Sequence, residues 1–347
     1  MKILISAIEP SSNLHLKELL KYLSDDIELV GIYDKSLSKH PPLYDISDMA
    51  IMGVVDAIKK IRWFFNVADE MVELAKDVDK ILLMDGSGFN LPLAKRLKKA
   101  YPDREIIYYI LPQVWASRPK RVKKLELYCD KLLGILPFEI SYYTKAQYVG
   151  HPLLDEIEQK YQDKRGTITY LAGSRRAEIT KLMPIFRKLQ ERLSDKKSIL
   201  VIPKTLSKEK IDEWYGDISG FEVSHDTHTS LANSEFAFIC SGTATLESAI
   251  IGTPFTLAYI AKKIDFFIGT KIFGINQIGL ANIFLTRYNN TTLHNELLQE
   301  QVTVDNLILE YENTNREIFA QKAKELRDYL QHGSSKNVAQ ILEGDIC

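Results

Sequence analysis

Short apolar runs closed by polar turns alternate along the chain with segments whose apolar residues recur at helical spacing. Residues 3–7 form the first such run and predict a strand, and Leu16, Leu19, Leu20 and Leu23 follow at i, i+3, i+4 and i+7, which predicts a helix. The alternation recurs at residues 80–84, 105–111 and 131–136, so the first half reads as βαβ units around a parallel sheet. Beyond Gly150-His151-Pro152 the chain enters a charged stretch, residues 156–165, that is poor in apolar side chains and reads as a linker. A second series opens at residues 168–171, 198–202 and 236–240, each run followed by a helical pattern. The last periodic segment, residues 316–342, predicts a helix that returns to pack on the first half. The expected fold is α/β: two Rossmann-like, doubly wound domains facing a cleft, at residues 1–157 and 158–325, with residues 326–347 as the returning helix.

Composition narrows the class. The 347 residues exceed what one hydrophobic core usually holds, and 45% hydrophobic with 26% charged residues is ordinary for a globular chain. A formal net charge of -1 offers no global attraction to nucleic acid or anionic lipid, so no nucleic acid partner is expected and anion binding must come from local clusters. Cys129, Cys240 and Cys347 lack metal-ligand spacing and are too few for a disulfide framework, which points to a reducing compartment. No apolar stretch approaches the ~18 residues of a spanning helix, and no export signal precedes the first strand. The expected location is cytoplasmic.

Ligands of open α/β sheets lie beyond the carboxyl ends of strands, so the loops after the apolar runs are where chemistry is expected. In the second half, Ser241-Gly242-Thr243-Ala244-Thr245-Leu246-Glu247 leads from a strand into a helix through small residues, a turn whose free amides and helix dipole suit a phosphate, with Glu247 placed for a ribose diol. A plain helix start capped by Ser241 is the competing reading. Gly173-Ser174-Arg175 follows another strand, and Arg175 is suited to a diphosphate leaving group; a solvated Arg pair, with Glu178 near the helix start, is the alternative. Neither turn is a Walker A loop or a three-glycine dinucleotide fingerprint. In the first half, Asp85 ends a strand and is the candidate base for deprotonating a hydroxyl, against an Asx-turn or capping aspartate. Glu9 and Ser11 precede a helix where a sugar or phosphate fits, though Ser12 or Asn13 equally serves as a plain cap, and Pro112-Gln113-Val114-Trp115 runs into the basic residues Arg118, Lys120, Arg121, Lys123 and Lys124, which suits an anionic amphiphile or a solvated basic helix face. Trp63, Phe64 and Phe65, beside Lys59, Lys60 and Arg62, have the composition of a membrane-interface segment, as do residues 265–273; buried helix faces use the same aromatics.

Several of these segments, in this order, resemble the lipid-A-disaccharide synthase family: Glu9-Pro10-Ser11, Met52-Gly53-Val54-Val55, Asp85 with Phe89-Asn90, Pro112-Gln113-Val114-Trp115, Leu136-Pro137-Phe138-Glu139, Gly150-His151-Pro152, Gly173-Ser174-Arg175, residues 241–247 and Leu280-Ala281-Asn282. The resemblance implies a GT-B fold and a hexosyltransferase that joins UDP-2,3-diacylglucosamine to lipid X with release of UDP. It implies Asp85 as catalytic base and Glu9, Ser11, Asn90, Gln113, Trp115 and Arg121 at the acceptor. Gly173, Ser174, Arg175, Ser241, Gly242, Thr243, Ala244, Glu247 and Asn282 then surround the nucleotide. No cofactor and no metal are expected with it, a homodimer stays open, and peripheral contact with the inner membrane through Trp63, Phe64 and Phe65 is expected from their composition. The chain departs from the family pattern at Ile8, Ser12-Asn13 and Gly88, which bears on the shape of the acceptor loop. A UDP-sugar isomerase of similar architecture and a non-catalytic nucleotide-sugar or lipid binder are the alternatives.

Overall fold

Because the sheets are parallel and covered on both faces, their strands read as near-continuous apolar runs. A computed structural model describes residues 1–51, 57–158, 160–162, 165–240, 242–261 and 277–344, and the backbone alone for residues 50, 51 and 57–61. In the first unit the strands are β1 (Lys2–Ala7), β2 (Glu28–Tyr33), β3 (Tyr44–Asp45), β4 (Lys80–Met84), β5 (Ile106–Tyr109), β6 (Lys131–Gly134) and β7 (Ala146–Tyr148). They form one parallel sheet in the order β3-β2-β1-β4-β5-β6-β7. Alternation along each strand splits the core in two. Leu4, Ile81, Leu83, Ile106, Tyr108 and Leu132 face helices Ala57–Leu74, Ser87–Ala100 and Arg121–Tyr128. Ile3, Ile5, Leu82, Met84, Ile107 and Tyr109 face helix Pro10–Leu20 and the C-terminal helix Ser334–Glu343, through Leu16, Leu19, Val338 and Leu342.

The second unit carries β8 (Thr167–Leu171), β9 (Lys197–Val201), β10 (Glu222–Ser224), β11 (Phe236–Ile239), β12 (Phe255–Tyr259) and β13 (Glu296–Leu298), parallel in the order β10-β9-β8-β11-β12-β13. Its core is aromatic: Tyr170 sits edge-on to Phe186 and Phe221, with ring centroids 5.4 and 5.2 Å away. The first unit comprises Met1–Glu156 and the chain from Leu330, and the second Ile157–Tyr329.

The C-terminal segment differs from its periodicity in one respect. Two helices, Arg316–Leu330 and Ser334–Glu343, replace the single expected one. The break sits at Gln331 and Gly333, both at positive φ, and half-buried Asp155 holds it by accepting from the Gly333 and Ser335 amides at 2.7 and 2.8 Å. Residues 331–337 carry no apolar side chain and include Gly333, so the sequence itself holds a sign of the break that a single helix passes over.

Both strand orders reverse direction once, β1 beside β4 in the first unit and β8 beside β11 in the second. At such switch points the loops diverge and leave a crevice at the strand ends.

Candidate functional site

In the first unit the loop after β4 carries Asp85 at φ 47 and Gly86 at φ 46, two consecutive left-handed residues. At 86 a Cβ would come within 2.6 Å of Ile8 Cγ1, so glycine and Ile8 are matched, and the chain's departure at position 8 fills that space. Asp85 does not cap the following helix: the N-cap of Ser87–Ala100 is Gly86, with no side-chain cap. Its backbone is held instead. Tyr108 Oη donates to the Asp85 carbonyl, and Asn90 Nδ2 donates to the Met84 and Asp85 carbonyls, both at 3.0 Å. Asn90 Oδ1 accepts from Ser6 Oγ at 2.6 Å, which ties the ends of β1 and β4 together.

Burial raises the Asp85 pKa above the ordinary aspartate value, against the Gly86 amide and the positive potential of His15, which pull it down. Glu9, ahead of helix Pro10–Leu20, is also raised, first by desolvation and then by the Asp85 charge. A carboxylate of raised pKa that is not employed as a cap is suited to taking a proton. Asn13 fastens the Glu9 loop: its Nδ2 donates to the Ala7 and Glu9 carbonyls at 2.7 and 2.9 Å, and its Oδ1 accepts from the Asp34 amide.

Asp85, Gln113 and Arg121 line one cavity of about 260 Å³. Ser87, Ser117 and Glu139 line it too, and sequence reasoning assigned them no role. Trp115 stands edge-on to Phe138, centroids 5.4 Å apart, and is not among the lining residues; nor are Glu9 and Ser11. Asn90 requires a correction. It is wholly buried and both its polar atoms are taken up by the protein's own groups, so it positions Asp85 rather than touching an acceptor.

The aromatic stretch is corrected likewise. Trp63 and Phe64 pack against the first unit's core, Trp63 edge-on to Tyr44 at 5.5 Å and Phe64 against Phe89 at 5.6 Å. They share a helix face with buried Val67 and Met71, which turns them inward. Phe65 points outward, 50% exposed, under the Arg96 guanidinium. The block at residues 52–55, residues 265–273 and Ser241 lie outside the described residues.

In the second unit a cavity of about 270 Å³ is lined by Gly173, Ser174, Gly242, Thr243, Ala244 and Glu247. Both expected turns thus meet at the switch point between β8 and β11. Helix Thr243–Ile251 begins at Gly242, φ 127, without a side-chain cap, so its first amides and its dipole face the cavity uncapped. Gly173, at φ 98, is equally constrained, since a Cβ there would lie 2.6 Å from Glu178 Oε2 and 3.3 Å from Cys240 Sγ. Ile202, Pro203, His225 and Thr227 complete the wall, and the sequence offered no motif for them. His228 Nε2 lies 3.5 Å from Glu247 Oε2.

Arg175 is not among the lining residues; it is exposed and paired with Glu178 Oε1 at 3.2 Å. Asn282 is corrected from nucleotide contact to positioning. It is buried, its Nδ2 donates to the His294 carbonyl and Glu296 Oε1, both at 2.9 Å, and its Oδ1 accepts from the Leu293 and His294 amides. Among the described residues no cluster of three or more His, Cys, Asp or Glu could hold a metal ion, and no helix is long and apolar enough to cross a membrane.

A family profile described as lipid-A-disaccharide synthetase matches residues 3–343. The lipid-A-disaccharide synthase of Helicobacter pylori strain J99 is 47% identical over 352 residues, covering 97% of each chain. Among solved structures, Acinetobacter baumannii MurG is similar with a TM-score of 0.57 at 14% identity, covering 99% of each chain. The UDP-GlcNAc 2-epimerase of Neisseria meningitidis, bound to UDP-GlcNAc, is similar with a TM-score of 0.64 at 11% identity, covering 99% of this chain and 100% of that one. Structural likeness at such identity extends to transferases and epimerases alike and speaks for the GT-B fold alone. Sequence identity over the whole length goes further, and by it the chain belongs to the lipid-A-disaccharide synthase family.

Proposed function

We propose that the chain is an inverting hexosyltransferase that condenses UDP-2,3-diacylglucosamine with lipid X to the β-1,6-linked disaccharide 1-phosphate and UDP, a step of lipid A and hence lipopolysaccharide biosynthesis. The acceptor hydroxyl oxygen attacks the anomeric carbon of the donor, the bond from that carbon to the diphosphate oxygen breaks, and the hydroxyl proton passes to Asp85. The observation that carries this reading is Asp85 itself, a half-buried carboxylate of raised pKa that is not used as a helix cap and shares a cavity with Gln113 and Arg121. Desolvation makes it a stronger base than an ordinary aspartate.

In the second unit, Gly173, Ser174, Gly242 and Thr243 cradle the diphosphate with backbone amides, and Glu247 receives the ribose. Arg175, held by Glu178 in the ligand-free chain, is free to turn to the departing diphosphate, where its charge counts most. Purified protein given both substrates should release UDP and form disaccharide 1-phosphate, whereas Asp85→Asn should lose about 10²–10⁴ in kcat yet still bind UDP. Turnover of the UDP-sugar without an acceptor would instead identify an isomerase, and UDP binding with no turnover a non-catalytic relative.

Both substrates carry acyl chains, so peripheral contact with the inner membrane, from the cytoplasmic side, belongs to the same proposal. Exposed Phe65 beside Arg62 and Arg96, and Leu127, 66% exposed near Lys123 and Lys124, are its contact points. Anionic vesicles should co-sediment with the wild type and much less with Phe65→Ser plus Leu127→Ser; unchanged sedimentation excludes these points.

A further inference from the structure

One buried carboxyl in the first unit is unused by the mechanism above. Glu139 is 1% exposed and lines the same cavity as Asp85 and Arg121. Its Oε1 accepts from the Ile135 and Leu136 amides at 3.0 and 3.1 Å, which fixes the carboxyl in place. Gly134 lies close behind it: a Cβ there would come within 3.0 Å of the same oxygen. Glu139 Oε2, by contrast, has no hydrogen-bond partner within the protein. Buried polar atoms are nearly always paired, so an unpaired one on a residue that lines a cavity calls for a partner from the ligand.

The charges around it decide the kind of partner. Asp85, the base of the proposed reaction, and Arg121 line the cavity, Arg121 without pairing to Glu139, and Tyr143, one turn further along, carries a neutral hydroxyl whose pKa burial raises. An ionised Glu139 would have two amides on one oxygen and nothing on the other. Burial outweighs those amides and pushes its pKa up to about 8, so near neutrality it carries a hydrogen. With Oε1 engaged as an acceptor, that hydrogen sits on Oε2.

We infer that Glu139 is a hydrogen-bond donor to an oxygen of the acceptor sugar phosphate, so that two carboxyls of one cavity serve in opposite protonation states, Asp85 as base and Glu139 as acid. The inference rests on the transferase reading. The receiving oxygen belongs to a sugar hydroxyl or to the phosphate, and the substrates used in the test separate the two.

The test is acceptor kcat/KM at saturating UDP-sugar across neutral and alkaline pH, for the wild type, Glu139→Gln and Glu139→Met. The wild type should lose about tenfold one pH unit above the Glu139 pKa, because only the protonated form donates. Glu139→Met, which removes the donor at similar volume, should lose more than about tenfold at neutral pH with the UDP-sugar KM unmoved. Glu139→Gln, which keeps a donor in that place, should recover most of that loss and lack the alkaline decline.

A Met loss seen with lipid X but not with its dephosphorylated analogue assigns the phosphate oxygen, and an equal loss with both assigns a hydroxyl. An alkaline decline that persists in Glu139→Gln, or full acceptor kcat/KM in Glu139→Met, overturns the inference. Should the variants fail to fold, carbon-13 NMR of the wild type decides: bound lipid X must raise the midpoint of the glutamate resonance that titrates near pH 8, and a fall or no change overturns it. A wild type that forms no disaccharide at any pH refutes the transferase reading instead.

Discussion

Replacing Asn90 by alanine removes a side chain that is wholly buried and bonded at both ends. Ser6 Oγ loses its acceptor, and the Met84 and Asp85 carbonyls lose their shared donor. Each bond of this kind contributes about 1 kcal/mol net, and a buried group left unpaired costs about 1–3 kcal/mol, so the loss should be roughly 3–4 kcal/mol. In a unit of 150–250 residues each kcal/mol lowers Tm by about 2–4 °C, so a fall of about 6–16 °C is expected. Activity should fall further than stability predicts. Asn90 and Tyr108 together pin the Asp85 backbone in its left-handed conformation, and a base displaced by about 1 Å loses on the order of a hundredfold in rate. Near-ultraviolet circular dichroism on heating and disaccharide synthesis at 25 °C measure the two effects, with Ser6→Ala as a control that breaks a single bond. A lower Tm with unchanged kcat would refute the positioning role and leave Asn90 a purely structural residue.

Other predictions concern different parts of the chain. Asp85→Asn should raise Tm or leave it unchanged, because burial disfavours the charge it removes; a clear fall in Tm would show that the carboxylate is stabilised rather than strained. Gly173→Ala must hold a side chain at φ 98 and displace Glu178, so we expect about 1–2 kcal/mol of destabilisation and a UDP-sugar KM about tenfold higher; an unchanged KM would remove Gly173 from the nucleotide site. Burial lowers the pKa of His151 to about 3 and of His294 to about 4, below the ordinary value near 6.5. The unfolded chain therefore takes up protons first as pH falls below about 6.5, and each histidine should contribute up to ~2 kcal/mol of lost stability by pH 5. Glu139, with its pKa pushed up to about 8, acts in the opposite sense over this range, so denaturant unfolding of the wild type is compared with that of His151→Asn and His294→Asn; a stability change between pH 7 and pH 5 that is the same in all three would contradict this. On the proposed reading, in which amides and Arg175 meet the diphosphate, chelator should leave activity within about twofold, and full, reversible loss would require a metal in the reaction.

Much of the architecture is a property of the local pattern. In β1, β4, β8 and β11 the apolar run is nearly continuous because both sheet faces are buried, and these runs end in the loops that carry Glu9, Asp85, Gly173 and Gly242 in turn, so strands and candidate turns are legible together. The short strands β3, β10 and β13 have two or three residues each, too few to show a period, and their pairing comes from the neighbours that receive them. The break between the last two helices is likewise set by Asp155, a residue far away in sequence.

What only the tertiary structure decides is where a polar or aromatic side chain goes. Asn90 and Asn282 read as ligand contacts because they stand in motif blocks, yet each is within reach of backbone groups on another segment and is drawn inward to satisfy them. Trp63 and Phe64 share the composition of a membrane edge with Phe65 and are separated from it by helix phase and a neighbouring core. Glu139 looked like one more residue of a motif; its solitary Oε2 exists because two amides, a glycine and a cavity wall from different elements meet around one carboxyl. Sequence by itself determines which chemistry is present and at which strand ends it is delivered, because those follow from periodicity and residue type over a few neighbours. The protonation state, partner and direction of each group depend on burial and long-range hydrogen bonds, which only the folded chain supplies.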